Sequence, residues 1–125
     1  MLSTCIKFLS IFTISILMIA CGSDSNSDSN IDGDYAKVYK PDGSLQCIEG
    51  SISLTEMRLE LAKQGIDVIC AQKANDGLVY LTVCGAETGN INVYLIHKVN
   101  LPDAEKLGFK SVTVLPDYQD KDCRN

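Results

Sequence analysis

Six cysteines, one histidine and a few closely spaced acids are the residues of this 125-residue chain whose types could do chemistry. The cysteines are Cys5, Cys21, Cys47, Cys70, Cys84 and Cys123. No Cys-x-x-Cys occurs, and the spacings match neither a zinc ribbon nor a thioredoxin-type redox motif. His97 is the sole imidazole, so a general base or an activated nucleophile would have to rest on it. No acid stands beside it in sequence, and a histidine at the end of a strand is far more often structural than catalytic. Asp28, Asn30, Asp32 and Gly33 fit the first half of a calcium loop, D-x-[DN]-x-[DN]-G. The twelfth position is Tyr39, where the site needs a bidentate glutamate, so a plain spacer is the better reading. Glu56 and Glu60 lie one helical turn apart on a solvated face and make no acid–base dyad. Gly85 and Gly89 flank a loop that precedes a strand, which lacks the dipole of a phosphate-binding helix end. Serine-hydrolase, zinc-peptidase, P-loop and dinucleotide motifs do not occur. These residues predict neither a cofactor nor a metal site, and no catalytic constellation.

The N-terminus carries an address. Lys7 is followed by an apolar run without a charge over residues 8–20. As a helix it would span about 20 Å, too short for a hydrocarbon core of about 30 Å. A charged start, a short apolar middle and a small residue before the cut describe an export signal and not a membrane span. The stretch Leu17-Met18-Ile19-Ala20-Cys21-Gly22 resembles the lipobox of bacterial lipoproteins, with Met18 in place of the usual leucine. That resemblance implies a diacylglycerol on Cys21, cleavage before it and an acylated new amine. Gly22 is not the aspartate that resembles an inner-membrane retention signal in enteric-type bacteria, which implies the outer membrane. Such acyl chains suffice for stable anchoring without a spanning segment.

Residues 21–34 then read as a lipidated cysteine and a tether. Ser-Asp-Ser-Asn occurs twice in succession, and a stretch with no apolar side chain before Ile31 has little burial to offset its ordering entropy. The chain carries a net charge of −5, and loss of the signal removes only Lys7, leaving −6. An acidic surface with no basic cluster argues against nucleic acid or anionic lipid as partners. Membrane attachment therefore falls to the lipid on Cys21.

With Cys5 lost in the signal and Cys21 lipidated, four cysteines remain in a small exported domain, and an oxidising compartment points to disulfides. Four cysteines allow three pairings. Cys47 with Cys84 and Cys70 with Cys123 is the preferred pairing. Cys47 and Cys84 sit at element ends, and the polar C-terminal tail needs something to hold it against the sheet.

About ninety residues, 35–125, suit one domain. Ser53 and Glu56 form a capping box, with Ile52 and Met57 placed as a hydrophobic staple. Leu54, Met57, Leu61 and Ala62 share a face, and Gly65 supplies a left-handed stop, which predicts a helix over 54–64. Strands are predicted over 66–73, 78–84, 91–97 and 109–115, with 85–90 as the tip of a hairpin. A short helix over 102–107 opens with Pro102 and closes at Gly108. Upstream, 36–39 and 44–48 flank the turn Pro41-Asp42-Gly43 and could pair. The order points to an α+β two-layer sandwich, stapled by disulfides, with two helices on one face of a mainly antiparallel sheet. Split βαβ (ferredoxin-like) strand order is the natural arrangement.

Every recognisable feature concerns delivery, attachment or stability. The expectation is a cell-envelope lipoprotein in the periplasm or at the cell surface, a non-enzymatic module that binds a protein or an envelope component. The alternative is an inhibitor of a secreted or periplasmic enzyme. A helix, a strand and a turn over residues 53–77 resemble the potato-type I protease inhibitors, which implies residues 72–77 as the presented loop.

Overall fold

Ser53 starts the main helix with its side chain. Its Oγ accepts from the Glu56 N–H at 3.1 Å, and the Glu56 carboxylate accepts from the Ser53 N–H at 2.9 Å. This reciprocal cap satisfies donors that a helix start otherwise leaves orphaned. It opens α1 (Leu54–Lys63), which buries Met57 and Leu61, and Gly65 at φ +73 turns the chain away. The computed structural model describes residues 33–121, and within them the remaining elements are four strands, a second α-helix and two single-turn 3-10 helices. The strands are β1 (Tyr35–Pro41), β2 (Val68–Asn75), β3 (Asn90–His97) and β4 (Lys110–Ser111). The second helix, α2 (Leu101–Lys106), takes Pro102 in its first turn and ends before Gly108 at φ +89.

The sheet runs β2-β3-β1-β4 with every neighbouring pair antiparallel. This is the split βαβ order, in which β3 is inserted between two strands joined by a helix. The protein is thus α+β, with both helices on one face. The central strand explains itself: six consecutive buried residues in Ile91 to Ile96 leave no polar face, as a strand covered on both sides requires. Alternation then sorts the core into two halves. Val38, Tyr94 and Ile96 pack with Met57, Leu61, Ala104 and Phe109 under the helices, Tyr94 and Phe109 meeting edge to face at 5.9 Å. Tyr39, Ile91 and Val93 face the other way, where Val112, Leu115 and Tyr118 from the C-terminal segment cover them.

Three sequence expectations change. Residues 78–84, apolar and β-branched as they are, form no strand. The hairpin is instead β2 with β3, joined by a long connection. Both edges of β3 are already taken, by β2 and by β1, so residues 78–84 cannot pair with β3, and they do not take the open outer edge of β2. Residues 44–48 do not extend β1 either, and make only isolated bridges through Leu45 to Ile48 and to Glu87. The last strand shrinks to Lys110–Ser111, after which Val112–Val114 makes a 3-10 turn onto the second core.

The disulfide Cys47–Cys84 is present, its Cα atoms 5.0 Å apart, within the usual range. Cys70 is also disulfide-bonded. Its expected partner Cys123 lies outside the described residues, as do Cys21 and the Asp28, Asn30 and Asp32 of the calcium near-match. Cys70 pairs with Leu95, and its neighbour Gln72 reaches the Tyr118 hydroxyl and the Lys121 carbonyl, so the C-terminal segment crosses the sheet beside it.

Candidate functional site

Sheet register defines two ends. Tyr35 pairs with His97 at one, Pro41 with Ile91 and Asn75 with Asn90 at the other, about 20 Å away along β1. The chain enters the domain at the first end. Gly33, Asp34, Tyr35, His97, Lys98 and Val99 line a shallow, open depression there. The His97 ring packs on Tyr35 with centroids 4.9 Å apart, and among the described residues no carboxylate is hydrogen-bonded to it. Glu56 and Glu60, equally, are engaged separately, one in the helix cap and the other with Lys40 Nζ at 2.7 Å. Neither grouping assembles an acid–base pair.

The second end holds the more unusual feature. Residues 76–89 loop out between β2 and β3, and their first half runs without turn or bend through Thr82. From Gly77 to Ala86 there is no charged residue. Val79 is 99% exposed, Leu81 77%, Val83 56% and Leu78 47%. Apolar side chains of this size are more often buried, and large exposed apolar patches are a common feature of contact surfaces.

Asp76 holds the start of the loop. Its buried carboxylate accepts from the Leu78 N–H at 2.9 Å and from the Tyr80 hydroxyl at 2.5 Å. That hydrogen bond, assisted by burial and by the Asp76 charge, pushes the Tyr80 pKa up to about 12. Gly89 lets the pieces close, since a Cβ there would stand 2.8 Å from both Asp76 Oδ1 and the Tyr80 ring. A second loop, residues 42–50, supports the rest. Gln46 Nε2 donates to the Leu81 carbonyl at 2.7 Å and to the Glu87 carbonyl at 3.1 Å. Its backbone exchanges bonds with Ala86 O and Gly85 N at 2.8 and 2.9 Å. Next to it, Cys47 sits at φ +62, a left-handed conformation that disfavours a side-chain-bearing residue, and is bonded to Cys84. Ser44 and Thr88 close the gap between the two loops, their hydroxyls 2.5 Å apart. Below them Asp42, only 3% exposed, pairs with Lys73 at 2.8 Å. Burial opposes its charge, but the Lys73 ammonium and the Ser44 donors outweigh that and hold its carboxyl below the ordinary value.

Residues 72–77, expected as a presented loop, prove to be largely β2, with Gln72 to Asn75 paired to β3. The presented segment lies one step further on. The sequence singles out Cys47 and Cys84 as a disulfide pair, without reference to this segment, and does not single out Gln46, Asp76, Tyr80 or Val79. The uncharged run of Gly77 to Ala86 was the available signal. No known protein family, curated protein or solved structure matches the chain.

Proposed function

We propose that this is a lipid-anchored protein of the bacterial cell envelope, held by Cys21 in the outer membrane. Its domain is a non-enzymatic binding module that engages another protein through residues 77–86. One observation carries this reading: an uncharged, apolar segment is exposed while its two ends are fixed by Asp76, Gln46 and the Cys47–Cys84 bond. Preorganised loops bind with less entropy lost than mobile ones. The tether described by residues 21–34 would join the domain at the Tyr35 end, so the apolar segment lies at the far end of the sheet from the anchor. That favours a protein partner over the lipid to which Cys21 holds the chain.

The test uses the full chain with Val79→Asp and Leu81→Asp, both at fully or largely exposed positions. Melting temperature should stay within about 2 °C of the parent, as surface substitutions usually allow. Partner recovery from envelope extracts should fall by at least about tenfold. Undiminished recovery would contradict the loop as the binding surface. Cys21→Ser should independently release the chain from the membrane fraction, and continued membrane retention would contradict the anchor.

A further inference from the structure

We propose that residues 80–84 are a substrate-like loop for a serine endopeptidase, with Thr82–Val83 as the bond presented to its active site. This rests on the reading of residues 77–86 as a protein-binding surface, and it names the class of partner.

In an extended chain, the N–H and C=O of one residue point to one side and those of the next to the other. The Leu81 carbonyl is taken by Gln46 Nε2 and the Val83 carbonyl by the Ala86 N–H at 3.1 Å. Leu81 therefore faces the protein, and the chain leaves its extended course at Val83, whose carbonyl closes the turn that follows. Tyr80 and Thr82 make no main-chain hydrogen bond within the described residues, and their N–H and C=O groups face away. An outward row of alternate main-chain groups is what an endopeptidase cleft pairs with, as a strand is added to a sheet edge. The Thr82 carbonyl is the free one, flanked by two that are held from within, and so is placed to enter an oxyanion site. Leu81 and Val83, exposed on either side, offer apolar contacts, and Thr82, itself small and uncharged, suits the small primary pocket of an elastase-type enzyme.

What separates an inhibitor from a substrate is the fate of the cut ends. Here both sides of the bond are secured to neighbouring residues: Leu81 to Gln46 by hydrogen bond, Cys84 to Cys47 by disulfide. Attack by the peptidase's serine oxygen on the Thr82 carbonyl carbon would break the bond to the Val83 nitrogen, which takes the serine's proton through the enzyme's base. In an ordinary substrate that amine diffuses away and water completes hydrolysis. Here the amine stays beside the acyl group and can attack it, returning the proton to the serine oxygen and restoring the peptide bond at high effective concentration.

The experiment incubates the full chain, in detergent, with elastase-type and trypsin-type endopeptidases. Expected are slow, tight inhibition of the former, a new N-terminus at Val83 that accumulates only over hours, and resealing of chain nicked at that bond. Thr82→Lys should weaken elastase-type inhibition by about 100-fold and create trypsin-type inhibition. Gln46→Ala should accelerate cleavage by about tenfold with little change in binding, a split that a merely unfolded loop would not give. Rapid turnover of the parent chain, no inhibition at micromolar concentration, or self-association through this segment would each overturn the proposal. If no endopeptidase is inhibited while Val79→Asp with Leu81→Asp still abolishes partner recovery, this proposal fails and the binding reading stands. If partner recovery is also unchanged, both fail.

Discussion

Gln46 and Leu81, 35 residues apart in sequence, are joined by a 2.7 Å hydrogen bond from the Gln46 side-chain amide to the Leu81 carbonyl. The same nitrogen reaches the Glu87 carbonyl, so one side chain spans both limbs of the exposed loop. A neutral hydrogen bond contributes about 1 kcal/mol net. Gln46→Ala should therefore cost about that much in global stability while loosening the loop locally. Amide exchange at Gln46, Gly85 and Ala86, whose N–H groups join the two loops or close the turn, should accelerate by about tenfold. Exchange unchanged at all three would mean that Gln46 does not hold the loop.

The Cys47–Cys84 bond closes a sequence separation of 37 residues. Loop-closure entropy for that length is worth about 2–4 kcal/mol, depending on the strain the folded state carries. The double variant Cys47→Ser, Cys84→Ser should lose that much in urea unfolding and should become sensitive to proteolysis within 78–86 first. The sheet hydrogen bonds do not depend on this bridge, so the β2–β3 pairing should survive. An unaltered unfolding midpoint would contradict the staple.

Asp42 makes stability depend on acid in a defined direction. Its carboxyl is held below the ordinary value of 3.8 that it regains on unfolding, so the stability it supplies is complete above that ordinary value. It is lost as pH falls through the lower, folded value. A charged hydrogen bond to a buried carboxylate is worth about 2 kcal/mol. Asp42→Asn should cost about that at neutral pH and narrow its difference from the parent below about pH 4. A cost that is equal at pH 7 and pH 3, read by thermal unfolding at both, would exclude the Lys73–Asp42 pair as its origin.

Much of the fold was legible because the signals were local. Ser53, Glu56 and Gly65 write the limits of α1 in three residues, and Pro102 with Gly108 does the same for α2. The mostly apolar, β-branched run of Ile91 to Ile96 marks the strand that becomes β3. Residues 78–84 misled because β-propensity reports how a side chain suits a pleated surface, and says nothing about whether an edge remains to pair with. Here β1 arrives from 50 or so residues upstream to occupy that edge, a long-range event with no local mark. The Cys47–Cys84 bridge forms as expected, although the strands over 44–48 and 78–84 whose ends suggested it do not. The roles of Gln46 and Asp76 were not legible, since each depends on two loops meeting in space. The lipid expected at Cys21 rests on the resemblance of residues 17–22 to a lipobox.

The end of the sheet remote from Tyr35 is the proposed working surface. The most direct measurement places a photo-reactive side chain at Val79, at Leu81 or at Val99 of the full chain in living cells. Val99 is 82% exposed and lies at the opposite end, beside His97, so it controls for exposure alone. Irradiation should give a discrete protein adduct from 79 and 81 and none from 99. Adducts of equal pattern and yield from all three positions, or from Val99 only, would contradict the account.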